Sequence, residues 1–224
     1  MIFDRQIAFW GEAKQRLLEQ GVVFVAGLGG LGCLLAELLV RGGIGKIYLC
    51  DRGQVDLPDL NRQLFYTQHD IGRPKVEIAQ SRLASIHDRT QVIALDGDIL
   101  EEAFVLPVDI AGVADCLDNF ESRFSLWNKL PNGLFFVHAG VERFYGQIIT
   151  LVKGSSCPPQ TLFANCQDSQ QPIPVSGASA ASLSALATNE VIYNLFAEPK
   201  LRDTLLIVDL AAFQFNKIAI AKPT

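Results

Sequence analysis

The first sustained apolar run, Val22–Ala26, reads Val-Val-Phe-Val-Ala between Gly21 and Gly27. Five consecutive apolar, mostly β-branched positions without polar alternation predict a strand buried on both faces, as in a parallel sheet. Apolar positions then recur at helical spacing over 31–41, and Lys46–Cys50 (Lys-Ile-Tyr-Leu-Cys) predicts a second strand ending at Asp51. This strand–helix–strand unit has the length of a βαβ crossover, about thirty residues. The stretch 55–72 reads as a long functional loop. Pro74 suits the first turn of a helix reaching about His87, because its missing N–H has no intrahelical partner there. Gln91–Leu95 predicts a third strand, 108–116 contains a fourth, 120–130 reads as helix and 134–138 as another strand.

After residue 138 the pattern changes. An extended segment over 141–152 is interrupted at Gly146, and 154–174, rich in Ser, Pro, Gln and Asn, reads as a loop. Positions 179–196 predict a helix whose Ala, Ser and Leu spacing over 178–187 suits close packing. A closing hairpin follows over 205–210 and 213–221, with Phe213 and Phe215 alternating as on a half-buried strand. The expected fold is α/β: a Rossmann-like, mostly parallel sheet flanked by helices, with antiparallel strands at the C-terminal end. No repeat or clean linker divides the chain, so 1–224 reads as one domain, with a nucleotide-binding half over about 1–135 and a second half over about 136–224.

Composition narrows the function. Of 224 residues 49% are apolar and 19% charged, enough for a sizeable core and unlike a disordered chain. Nineteen basic against twenty-four acidic residues give a net charge of −5, with no Lys/Arg block to track a phosphate backbone, so nucleic-acid binding is disfavoured. The most apolar stretch, 21–40, is long enough to span a membrane, but its glycine cluster and Glu37 favour a buried strand followed by a helix. Asp4 and Arg5 precede any long apolar run, unlike a signal peptide. Five scattered cysteines (Cys33, Cys50, Cys116, Cys157, Cys166) form no C-x-x-C pair, which suggests a reducing, cytoplasmic setting.

The chemistry concentrates at Gly27-Leu28-Gly29-Gly30-Leu31-Gly32, a G-x-G-x-x-G between a predicted strand and helix. Glycines there permit a tight turn and bring backbone N–H groups and a helix N-terminus against a phosphate. Asp51, at the tip of the next strand, is placed to accept hydrogen bonds from a ribose. These features alone leave a nicotinamide dinucleotide and ATP both open. Arg62, Lys75 and Asp118 shift the balance: a triphosphate bound for chemistry needs cations and a carboxylate for Mg²⁺. Taken singly, Arg62 and Lys75 read as solvated charges and Asp118 as a helix N-cap. His138 reads as a satisfied core or strand-end histidine, His69 and His87 as exposed, and Trp10 and Trp127 as packing residues.

The arrangement of these segments resembles the ThiF/MoeB/HesA family of adenylyltransferases, relatives of ubiquitin-activating enzymes. The resemblance rests on DRQIAFWG (4–11), VAGLGGLG (25–32), Asp51 with DLNRQLFY (59–66), DIGRPKVE (70–77) and DCLDNFESR (115–123). HAGVERFYGQI (138–148), NCQDSQQPIPVSG (165–177) and LIVDLAAFQF (206–215) extend it over nearly the whole chain. It implies ATP-dependent adenylation of the C-terminal glycine carboxylate of a small ubiquitin-like sulfur carrier ending in Gly-Gly, with release of pyrophosphate. It implies a nucleotide held by Gly27, Gly29, Gly30, Gly32, Asp51, Arg62, Gln63, Lys75, Asp118 and Asn119, with Mg²⁺ on Asp118. It implies a homodimer in which Arg5 reaches the partner subunit's site, and a thioester or persulfide role for Cys166, with a sulfurtransferase or cysteine desulfurase as a further partner. Carrier and pathway, such as thiamine or molybdenum cofactor synthesis, stay open.

Three departures stand out. Many relatives hold zinc with two C-x-x-C pairs; here the first survives only as Cys157-Pro158-Pro159-Gln160 and the chain stops where the second would follow, so zinc is expected to be absent. Gly53 stands where relatives commonly carry a second acid. Asp59 stands where they commonly carry Asn, bringing negative charge towards the phosphates. These departures motivate an alternative, a non-catalytic carrier-binding scaffold. An NAD-dependent dehydrogenase ranks low because L-N-R-Q and R-P-K have no role in it, and a related tRNA dehydratase is disfavoured by the net negative charge.

Overall fold

The computed structural model describes residues 2–95, 97–169 and 171–221. Five strands run parallel: β1 (Val22–Ala26), β2 (Lys46–Cys50), β3 (Gln91–Leu95), β4 (Gly112–Asp115) and β5 (Phe135–Glu142). Three more extend the same sheet antiparallel, β6 (Tyr145–Val152), β7 (Thr204–Asp209) and β8 (Gln214–Ala219), giving the order β3-β2-β1-β4-β5-β6-β7-β8. The expected fold class is the observed one.

The uninterrupted apolar runs follow from burial on both faces. Along β1, Val23 and Val25 join one cluster with Ile47, Leu49, Leu35, Leu39, Leu183 and Val191. Phe24 and Ala26 point the other way, into a cluster with Phe136, Ile149, Leu126 and Trp127. The first face is covered by α2 (Gly32–Gly42), α3 (Lys75–Ala84) and α6 (Gly177–Leu195), the second by α4 (Phe120–Lys129). Small residues let α6 approach the rest of the fold closely: on α6, Ser184 Oγ donates to Leu31 O at 2.9 Å, and on β6 a Cβ at Gly146 would lie 2.4 Å from Leu183. Gly146 therefore does not interrupt the extended segment; the interruption is the turn at Arg143 and Phe144, between β5 and β6.

The sequence pattern did not reveal α1 (Asp4–Gln20). Gly11, at φ +84° and ψ 161°, breaks the helix in two and with it the apolar period. Leu18 is buried, and Gln15 Nε2 donates to Gly42 O at 3.1 Å. The 154–174 loop contains the short α5 (Pro159–Leu162) and is held by Phe163, packed on His138 and Phe120, and by Arg143 N–H on Pro174 O.

Two expectations are corrected. All six residues of β8 are exposed: as the sheet's edge it has one neighbouring strand, so Phe215 is 54% exposed, while Phe213 sits in the preceding turn at φ 53°. His87 is half-buried, with its Nε2 2.7 Å from Val40 O. Among the described residues no helix is long and apolar enough to cross a membrane.

Candidate nucleotide and carboxylate site

Between β1 and β4 the sheet order reverses, the place where ligands of doubly wound sheets bind, outside the carboxyl ends of the strands. A cavity of about 900 Å³ opens there. The glycine loop joining β1 to α2 forms one wall. Gly27 adopts φ +87°, and a Cβ on it would lie 2.8 Å from Cys116 O; a Cβ on Gly32 would lie 1.8 Å from Gly27 O. These two glycines make the turn possible. Gly27, Gly29 and Gly30 line the cavity, whereas Gly32 lies behind them as the first residue of α2.

Asp51, at the end of β2, fastens the loop. Its Oδ2 accepts from Leu28 N–H and its Oδ1 from Gly53 N–H, both at 2.7 Å. A Cβ on Gly53 would come within 3.0 Å of Asp51 Oδ1, so the glycine accommodates this closeness.

The cations come from the segment after β2. A 3₁₀ turn, Leu57–Asn61, carries a capping box in which Asp56 N–H donates to Asp59 Oδ2 at 3.0 Å. Arg62 follows, donating to Pro58 O at 2.8 Å and Asn61 Oδ1 at 2.9 Å. Lys75, the first residue of α3, is anchored by its N–H on Gly53 O at 3.0 Å, and its Nζ lies 3.0 Å from Asp59 Oδ2. Gln63 Nε2 donates to Asp59 Oδ1 at 2.6 Å. Asp59, Arg62, Gln63 and Lys75 all line the cavity.

Opposite stands the start of α4. Asn119 caps it, accepting from Ser122 N–H at 2.8 Å and donating to Asp118 Oδ1 at 3.1 Å. Asp118 is exposed towards the cavity. Asp168, from the 154–174 loop, accepts from Phe120 N–H at 2.8 Å, so it ties that loop to the helix N-terminus.

Beneath this lies a polar network that sequence reasoning did not assemble. Asp115 is fully buried and accepts from Arg123 Nε at 2.7 Å, His138 Nδ1 at 2.8 Å and Leu117 N–H at 3.1 Å. Burial alone would raise the Asp115 pKa, but the Arg123 charge and the His138 hydrogen bond hold it below the ordinary carboxylate range. Burial, with the Arg123 charge, pushes the His138 pKa down, against the pull of Asp115. A neutral His138 donating from Nδ1 leaves Nε2 to accept from Gln147 Nε2, 3.2 Å away. His138 is thus satisfied as expected, but it lies within β5 and not at its end, and with Gln147 it also lines the cavity. The legible signal was Asp115 ending an apolar strand with Arg123 one helix turn inside α4.

Two expected residues stand apart from the pocket. Arg5 is exposed on α1 and does not line the cavity of its own chain. Cys166 is exposed just before Gln167 and Asp168, which do line it.

Phosphates and Mg²⁺ fit this donor set. Gly29 and Gly30 leave backbone open to the cavity, two cations converge, and Asp118 offers one exposed carboxylate, the habit of a magnesium ion that takes its other ligands from phosphates and water. Among the described residues no group of three or more His, Cys, Asp or Glu could hold a metal by itself.

Fold and site together define a doubly wound α/β protein with a glycine-loop pocket at the switch point. The pattern of the ThiF family matches residues 3–224, and the chain belongs to that family. It is 31% identical to protein HesA of Nostoc sp. over 93% of this chain and 84% of that protein. It is 34% identical to the sulfur carrier protein ThiS adenylyltransferase of Bacillus subtilis, over 65% of this chain and 45% of that protein; this chain thus spans less than half the length of that relative. Its fold matches the crystal structure of Escherichia coli MccB with ATP at a TM-score of 0.80 and 17% identity, over 98% of this chain and 71% of that one.

Proposed function

We propose that the protein is an adenylyltransferase that uses ATP to activate the C-terminal glycine carboxylate of a ubiquitin-like sulfur carrier. The observation that carries this reading is convergence: Asp51, Arg62, Gln63, Lys75, Asp118 and Asn119 come from separate segments and line one cavity with the glycine loop. The names of the relatives, which include sulfur carrier and molybdopterin-synthase adenylyltransferases, support the same reaction class.

In this reading Gly29 and Gly30 receive the phosphates on backbone, and Asp51 the ribose. A carboxylate oxygen of the carrier bonds to the α-phosphorus, the bond from that phosphorus to the bridging oxygen breaks, and pyrophosphate leaves with the electron pair. Arg62 and Lys75 stand where negative charge grows on the leaving group. Mg²⁺, when held by Asp118, neutralises phosphate charge. No side chain of the protein acts as nucleophile in this adenylation step, so the chain's own contribution to it is orientation and electrostatics. The half from about residue 136 would carry the carrier-binding and dimer surfaces, with Arg5 completing the partner subunit's site and the Cys166 thiol either displacing AMP from the acyl-adenylate to form a thioester or taking sulfane sulfur from a donor persulfide whose own thiol is released. A cytoplasmic homodimer is part of this proposal.

The test is carrier-dependent exchange of labelled pyrophosphate into ATP, using small ubiquitin-like proteins ending in Gly-Gly from the same organism. Exchange that requires both carrier and Asp118 supports the reading; absence of exchange with every cognate carrier refutes it. The Asp59–Lys75 ion pair favours one second reading, a carrier-binding scaffold with a disabled phosphate site. Mg²⁺-dependent ATP binding that is abolished in Asp118→Ala excludes the scaffold.

A further inference from the structure

Lys75 and Arg62 already share an anionic partner in this structure. Asp59 lies between them, 8% exposed, with Oδ2 3.0 Å from Lys75 Nζ and Oδ1 3.6 Å from an Arg62 guanidinium nitrogen. The carboxylate cannot swing aside freely. Asp56 N–H and Gln63 Nε2 hold its two oxygens, and it is the closing residue of the capping box that shapes the 3₁₀ turn. A fixed anion therefore sits within the pair of cations that a phosphate chain would need.

A second observation shows that this arrangement is costly. A carboxylate only accepts, so Gln63 must turn its amide nitrogen towards Asp59. Its Oε1 is then left buried without a hydrogen-bond partner, in a side chain 4% exposed. An Asn at position 59 would offer both donor and acceptor, and would let Gln63 adopt either orientation.

We propose that Asp59 is the specificity-determining counter-anion of the phosphate subsite. It holds Lys75 and Arg62 in position, and it lowers the affinity of the site for highly charged ligands, because any phosphate must share these cations with a carboxylate that cannot leave. Affinity for polyphosphates is held down by this fixed charge, while affinity for an uncharged nucleoside is untouched. Asp59 acts through Lys75 and is a positioning residue, not a catalytic one. The inference deepens the nucleotide reading above and rests on it.

The experiment is calorimetric titration of the full chain and of Asp59→Asn with ATP, with and without Mg²⁺, and with adenosine, at several salt concentrations. Removing one fixed charge from the subsite tightens Mg²⁺-free ATP binding about tenfold, the scale of a single unit charge near a protein surface. Adenosine affinity stays the same, and the salt dependence of ATP binding steepens. A purely structural role for Asp59 would instead weaken both ligands and leave the salt dependence as it was. Equal or weaker ATP binding by a folded Asp59→Asn variant overturns the proposal. If the wild-type chain binds neither ATP nor adenosine, it is the nucleotide reading that has failed, and this inference falls with it. Should Asp59→Asn not fold, Lys75→Met and the double variant Lys75→Met with Asp59→Ser decide. The proposal requires the double variant to regain part of the ATP affinity that Lys75→Met loses; no regain overturns it.

Discussion

Asp115→Asn is expected to be strongly destabilising although it is isosteric. Asp115 has no exposed surface and receives three donors, from Arg123, His138 and the Leu117 backbone. An amide has one acceptor oxygen, so in either orientation its –NH₂ faces a donor. The carboxylate charge is lost while Arg123, 5% exposed, keeps its own. Leaving a buried ion without its partner costs about 3–5 kcal/mol. The Arg123 guanidinium also lies 5.1 Å from the Phe120 centroid and 5.9 Å from that of Phe163, contacts that are the same before and after the change and so leave this cost as it stands. A loss of about 3–5 kcal/mol follows, which for a chain of this size lowers the thermal midpoint by roughly 10 °C or more. Urea unfolding reads the loss as a lower midpoint at unchanged slope. Adding Arg123→Met should recover more than half of it, because the stranded charge is then gone. A loss below about 1 kcal/mol, or a double variant no more stable than the single one, refutes the reasoning.

Three further outcomes follow from the same structure. The folded protein depresses the pKa of His138 below its ordinary 6.5 and that of Asp115 below 3.8, so both contributions are present at neutral pH and lost on acidification. The thermal midpoint should fall as pH drops below 6.5, and His138→Gln should flatten that first decline. Gly32→Ala would place a Cβ 1.8 Å from Gly27 O, so circular dichroism should show a protein destabilised by several kcal/mol, on the order of a strained-backbone change, or one that does not fold. Burial pushes the Cys33 thiol up to about 12 and also raises Cys116, and Cys50 and Cys157 are buried too. A disulfide-exchange reagent should therefore meet one fast thiol in the native chain, and Cys166→Ser should remove it.

Much of this protein was legible before any coordinates. Val22–Ala26 read as a strand covered on both faces, Lys46–Cys50 as a second strand, and the glycine run between them as a tight turn into a helix. Those readings rest on local sterics and on burial, which leave their mark on adjacent residues. α1 escaped because Gly11 splits its period. β8 was misjudged because alternation on an edge strand looks the same whether or not anything packs against it. The individual residues Asp51, Arg62, Lys75 and Asp118 were visible, but their convergence on one cavity was an inference from resemblance until the sheet order placed the ends of β1, β2 and β4 side by side. Asp59 illustrates the division best. In sequence it is one acidic residue where Asn was expected, and its effect on the phosphates could be given only as a sign. The tertiary structure decides the rest, because the capping box and Gln63 hold that carboxylate against Lys75, and a charge acts through distance and surroundings that no stretch of sequence records.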